Sequence, residues 1–65
     1  MKIKEQFYAG EYTVLLFEKL DIRKAKYIVI NGVKYEAIIC FDLPNAIAVK
    51  TIGDFVGADA DFMFP

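Results

Sequence analysis

The stretch that most constrains this chain is Lys24–Phe41, two strand-like runs separated by Asn31-Gly32. Asn-Gly between alternating apolar segments is the strongest short-range hairpin signal. A type I′ turn needs positive φ at both central residues, and these two residue types accept it at least cost. Pairing outward from a two-residue loop sets Ile30 opposite Val33, Ile28 opposite Tyr35, Lys26 opposite Ala37 and Lys24 opposite Ile39. One face then presents Ile28, Ile30, Val33, Tyr35, Ala37, Ile39 and Phe41, and this is the expected core. The other face pairs Val29 with Lys34, Tyr27 with Glu36 and Ala25 with Ile38, then runs on to Cys40 and Asp42.

The flanking segments read as further short strands. Residues 1–9 alternate only partly, with Ile3 and Phe7 on one side and Glu5 interrupting it, and are expected to form an edge strand or a loose arm. Tyr12–Phe17 is apolar on both strand faces. Its shortness and its aromatic and β-branched content favour a strand buried on two sides over the rival short helix within 11–19. Leu20–Arg23 is expected to be a turn, with Asp21 capping local backbone. Asp42-Leu43-Pro44-Asn45 carries turn chemistry, since proline donates nothing to a ladder. Ala46–Thr51 follows as a strand with Ile47 and Val49 inward. The outward Ala46 and Ala48 are small enough for another strand or a partner to lie close. After the glycine-bracketed corner at 53–57, Ala58–Phe64 alternates apolar residues against Asp59, Asp61 and Met63. Outward charge of this kind protects an edge strand from unwanted pairing.

Four or five strands about ten residues apart, without a confident helix, imply an all-β fold. The expectation is a five-stranded meander or barrel built around the Asn-Gly hairpin, curled so that its apolar face is buried. The architecture is similar to small SH3-like barrels, with a partly open OB-like barrel next, although no family motif accompanies the likeness.

Sixty-five residues make a single domain, 1–65, near the lower limit for independent folding. A chain of this size buries about 60% of its unfolded surface, against an ordering cost of roughly 1.5 kcal/mol per residue. A lone Cys40 gives no internal disulfide, and the absence of histidine removes the common zinc ligand sets. The chain relies on apolar content instead: 57% of it is hydrophobic, with ten Phe and Tyr residues. So small a body cannot enclose all of these side chains, which points to self-association or a protein partner. The apolar runs fall far below the roughly 18 residues of a membrane span. With no signal-peptide pattern and a single thiol, a reducing cytoplasm is the expected compartment.

Catalytic candidates are few. Serine, histidine and tryptophan are absent, so serine–histidine arrangements are excluded, and no cofactor motif is present. Cys40 lacks a basic neighbour to activate it and reads as a semi-buried hydrophobe. Asp54, Asp59 and Asp61 do not follow an EF-hand spacing and read as solvated edge charges, leaving no metal site. Two surfaces remain. Tyr27, Val29, Ile38 and Cys40 form an apolar patch on the outward hairpin face, the candidate protein or homodimer interface. Arg23, Lys24 and Lys26 beside Tyr27 combine positive charge with an aromatic face, the ingredients for binding single-stranded nucleic acid. Three charges make a weak funnel, and a pI of about 5.2 is opposite to the usual footprint of such binders. The sequence therefore supports a non-enzymatic interaction module first and a nucleic-acid-binding barrel second.

Overall fold

The computed structural model of the chain describes residues 1–18, 22, 24–39 and 42–64. Among them are seven strands and no helix: β1 (Glu5–Ala9), β2 (Tyr12–Leu16), β3 (Tyr27–Ile30), β4 (Val33–Glu36), β5 (Ile38–Ile39), β6 (Ala46–Val49) and β7 (Ala60–Met63). They form two antiparallel sheets, β1-β2-β6-β5 and β4-β3-β7. The fold is all-β as expected, with seven strands rather than five, and the sheets do not close into a barrel.

Asn31 and Gly32 have φ of 51° and 81°, the two successive positive values of a type I′ turn. Register follows from that turn: Ile30 faces Val33, Val29 faces Lys34, Ile28 faces Tyr35 and Tyr27 faces Glu36. The Ala37 amide still bonds the Lys26 carbonyl at 3.0 Å. Beyond this pair the hairpin ends, and the expected Lys24–Ile39 and Ala25–Ile38 pairs do not form. Ile38 and Ile39 join Ala48 and Ile47 of the other sheet instead. The strand bends at Ala37, since a longer two-stranded ribbon would leave both isoleucines without a layer to pack on. Preceding the hairpin, the Ala25 amide turns back to the Ile22 carbonyl. This breaks the alternation and sends Ala25 into the core rather than outward.

A second hairpin opens the chain. Ala9 pairs with Tyr12 across Gly10-Glu11, and Gly10 has φ of 63° while Glu11 does not take a positive value. Glycine first in a two-residue loop with one positive φ is the pattern of a type II′ turn. Segment 1–9 therefore contains an edge strand, with residues 1–3 crossing to the other sheet. Lys2 bridges Asp59, the Ile3 amide bonds the Ala58 carbonyl at 2.9 Å, and the Ala60 amide bonds the Met1 carbonyl at 2.7 Å. The switch of partner between residues 3 and 5 explains why Ile3 is buried and Phe7 is not.

The main core lies between the sheets. Leu15, Ile47 and Val49 come from the first sheet and Ile28, Ile30 and Ala60 from the second, with Ile3, Phe17, Ile22 and Ala25 filling the ends. Each fully buried side chain of this size contributes about 1.5–3 kcal/mol relative to exposure. Phe17 meets Phe62 edge-on at 5.0 Å, and Tyr35 meets Phe55 at 6.0 Å, so aromatic contacts tie strand to loop across the core. The expected inner hairpin face is buried at Ile28 and Ile30 and half-buried at Tyr35, Ala37 and Ile39. Val33 keeps the register but is 50% exposed, because it lies beside the turn on an edge strand. Phe41, Leu20, Asp21 and Arg23 lie outside the described residues.

Polar groups close the mouth of the core beside β1. The Gln6 amide donates to the Gly53 carbonyl at 2.7 Å, and its oxygen accepts the Phe55 amide at 2.6 Å. The Tyr8 hydroxyl donates to the same Gly53 carbonyl at 3.0 Å. Asn45 likewise clamps the 42–45 turn, its amide donating to the Phe17 carbonyl at 2.8 Å.

Candidate protein-interaction surface

Strand alternation gives each sheet an inner and an outer face. An antiparallel sheet with one wet face alternates apolar and polar residues, and β2 and β6 do not. All four residues of β6 are buried, as are Thr13, Val14 and Leu15 of β2. Leu15, Ile47 and Val49 face the main core, whereas Val14, Ala46 and Ala48 form a second apolar cluster. Register places Val14 opposite Ala48 and Leu16 opposite Ala46, with Ile38 on the far side of Ala48. Tyr12, Leu16 and Ile38 pack around the two alanines. Phe7, opposite Val14 on the edge strand β1, extends this face and is 45% exposed. The two-sided character of β2 and the small outward alanines were both readable in the sequence. The outward placement of Phe7 was not, because it depends on the partner switch after Ile3.

The anticipated patch is distributed across the bend at Ala37. Tyr27 and Val29 are half-buried on the outer face of the three-stranded sheet, in register with Glu36 and Lys34 on one side and Met63 and Asp61 on the other. Ile38 belongs to the other sheet and its apolar cluster. Cys40 lies outside the described residues. The two outer faces meet in a groove of about 520 Å3 whose walls are Lys34, Tyr35, Glu36 and Ile38 on the bent strand and Tyr12 and Lys50 opposite. Sequence reasoning missed Tyr12, Lys34 and Lys50 as groove residues, because only the bend brings them together.

The basic candidates separate differently. Lys24 and Lys26 are exposed, and Arg23 lies outside the described residues. The Lys34 ammonium lies 4.2 Å from the centre of the Tyr27 ring and that of Lys26 lies 5.9 Å from it. Such contacts are worth about 0.5–1 kcal/mol at exposed sites. A stacking base would have to displace Lys34 from the ring.

The acidic residues stay apart in role. Asp59 is in the bridge to Lys2, Asp61 lies opposite Val29, and the Asp54 carboxylate accepts the Val56 amide at 3.3 Å. Among the described residues no group of three His, Cys, Asp or Glu is placed to hold a metal ion. Nor is any helix there long and apolar enough to cross a membrane. No family model, curated protein or solved structure matches the chain.

Proposed function

We propose that this chain is a non-enzymatic cytoplasmic module whose work is binding protein, either a second copy of itself or a partner. The observation that carries the reading is the doubly apolar β1-β2-β6-β5 sheet. Its outer cluster of Val14, Ala46 and Ala48 is buried beneath Tyr12, Leu16 and Ile38, whose half-buried side chains present the surface that continues to the exposed Phe7. Contiguous apolar surface of this kind marks interaction sites in small proteins. The bend at Ala37 and the Lys2–Asp59 bridge join the two sheets at opposite corners, which suits an open SH3-like barrel as the scaffold. A lone thiol suits a reducing compartment.

Sedimentation of the wild type and of Phe7→Gln tests the reading. Association that weakens in the variant, with the circular dichroism unchanged, supports it. A strict monomer at micromolar concentration, with solubility and stability untouched by Ile38→Asp, overturns it. Binding of single-stranded nucleic acid rests on Lys24, Lys26 and Tyr27 and has less support, because Lys34 already occupies the Tyr27 ring. Retention of an oligonucleotide that falls steeply as salt rises would favour it, since phosphate contacts release counterions.

A further inference from the structure

Strand β4 ends its sheet, in the order β4-β3-β7, so one side of it has no strand partner among the described residues. Which backbone groups line that side follows from the hairpin. Ala37 bonds Lys26, the residue just before β3, and bonding alternates along an antiparallel strand, so Val33, Tyr35 and Ala37 turn their amides and carbonyls toward that side. Lys34 and Glu36 turn theirs toward the open edge. The edge is short, and it borders the groove shared by Tyr12, Ile38 and Lys50.

An open edge is a template for another strand, and charges on it normally prevent pairing. The charges here have a different property. Around Tyr35, the order Lys34-Tyr35-Glu36 is complementary to itself when read antiparallel. We propose that two copies of this chain pair through their β4 edges about a two-fold axis at Tyr35. Lys34 of each copy lies opposite Glu36 of the other, and the two three-stranded sheets become one continuous sheet. The proposal rests on the self-associating form of the reading above and adds an interface on the other sheet, separate from the face that ends at Phe7.

Three facts select this register. Lys34 and Glu36 are the residues whose backbone groups face the edge, so each Lys34–Glu36 pair exchanges two hydrogen bonds. Both side chains are exposed and on the outer face, and to meet Glu36 the Lys34 side chain gives up its weak, exposed contact with the Tyr27 ring. The neighbouring registers that keep the same bonding set Lys34 opposite Lys34 or Glu36 opposite Glu36, and like charges directly opposite are destabilising. The arrangement is isologous and closed, so it stops at the dimer.

Charge reversal supplies the test, by sedimentation equilibrium with melting curves to confirm folding. Lys34→Glu sets Glu opposite Glu36, and Glu36→Lys sets Lys opposite Lys34. Each is expected to weaken dimerisation by roughly tenfold or more, because two symmetric pairs turn repulsive together. The double reversal, Lys34→Glu with Glu36→Lys, restores the complement in the opposite sense and is expected to recover the dimer. Because both single variants change one residue each, a folding defect in one leaves the other and the double variant to decide. A wild-type dimer indifferent to either reversal overturns the β4 interface while leaving the interaction-module reading intact. A wild-type monomer also overturns it, with Lys34 and Glu36 then acting as edge guards. In that case the solubility and stability of Ile38→Asp alone judge the wider reading.

Discussion

The Thr13 hydroxyl donates a 2.6 Å hydrogen bond to the Thr51 carbonyl from a side chain with no exposed surface. It is the buried polar residue of a strand otherwise apolar on both faces, and it ties β2 to the chain leaving β6. Thr13→Val keeps the branched shape and removes the donor, leaving the Thr51 carbonyl short of a partner. The expected loss is about 1–3 kcal/mol in denaturant titration. Thr13→Ser retains the bond and should cost only about 0.8 kcal/mol, for the missing methyl. Equal losses in the two variants would show that packing rather than the hydrogen bond holds this corner.

Gly32 offers a separate test of the central turn. A Cβ built there meets no atom within 4 Å, so substitution is opposed by its φ of 81° and not by crowding. Gly32→Val should lower stability by about 1–3 kcal/mol, the cost of holding a branched residue in a left-handed conformation. Gly32→Asn should cost less, since asparagine tolerates that region. A neutral valine in thermal melts would remove the turn type and the face assignments that depend on it.

Gln6 holds the 53–57 corner by two bonds, one to Gly53 and one from Phe55. In Gln6→Leu the Phe55 amide loses its acceptor. Its hydrogen exchange should accelerate markedly while the amides of Ile28 and Ile30, in the central strand of the other sheet, keep their protection. Local opening of this kind is independent of global unfolding. Unchanged exchange at Phe55 would mean that the corner is held by its own turn.

Phe17 and Glu18 are adjacent in sequence and opposite in consequence. Phe17 is 2% exposed and packs edge-on against Phe62, so Phe17→Ala should cost about 3–5 kcal/mol. That approaches the whole stability expected of so small a domain. The Lys4–Glu18 ion pair measures 3.0 Å, but its side chains are 59% and 68% exposed. Glu18→Gln should therefore change stability by less than about 1 kcal/mol, since exposed pairs contribute little. Urea midpoints of the two variants give the comparison directly.

Much of this fold is legible residue by residue. Asn31-Gly32 requires positive φ at both positions, and the strands paired by that turn inherit their register from it. Two-residue alternation then assigns faces, so Ile28 and Ile30 go inward and Tyr27 and Val29 outward. Even Ile38 and Ile39 keep their assigned faces after changing sheets, because a bend in a strand preserves its alternation. Ile47 and Val49 against Ala46 and Ala48 divide by the same rule.

Which strand lies next to which is a different kind of information. Ile38 and Ile39 leave the hairpin for β6, residues 1–3 leave β1 for the start of β7, and Ala25 leaves its strand for the core. Each choice depends on competition among several apolar surfaces for one small interior, and no single segment encodes the outcome. The candidate surface follows suit. Its apolar residues are visible in β2, β5 and β6 one strand at a time, but the groove between Tyr12, Lys34 and Lys50 exists only once the chain has bent at Ala37. The central hairpin is local chemistry. Its open β4 edge, and the Lys34-Tyr35-Glu36 order displayed there, become a surface only because the other strands pair elsewhere.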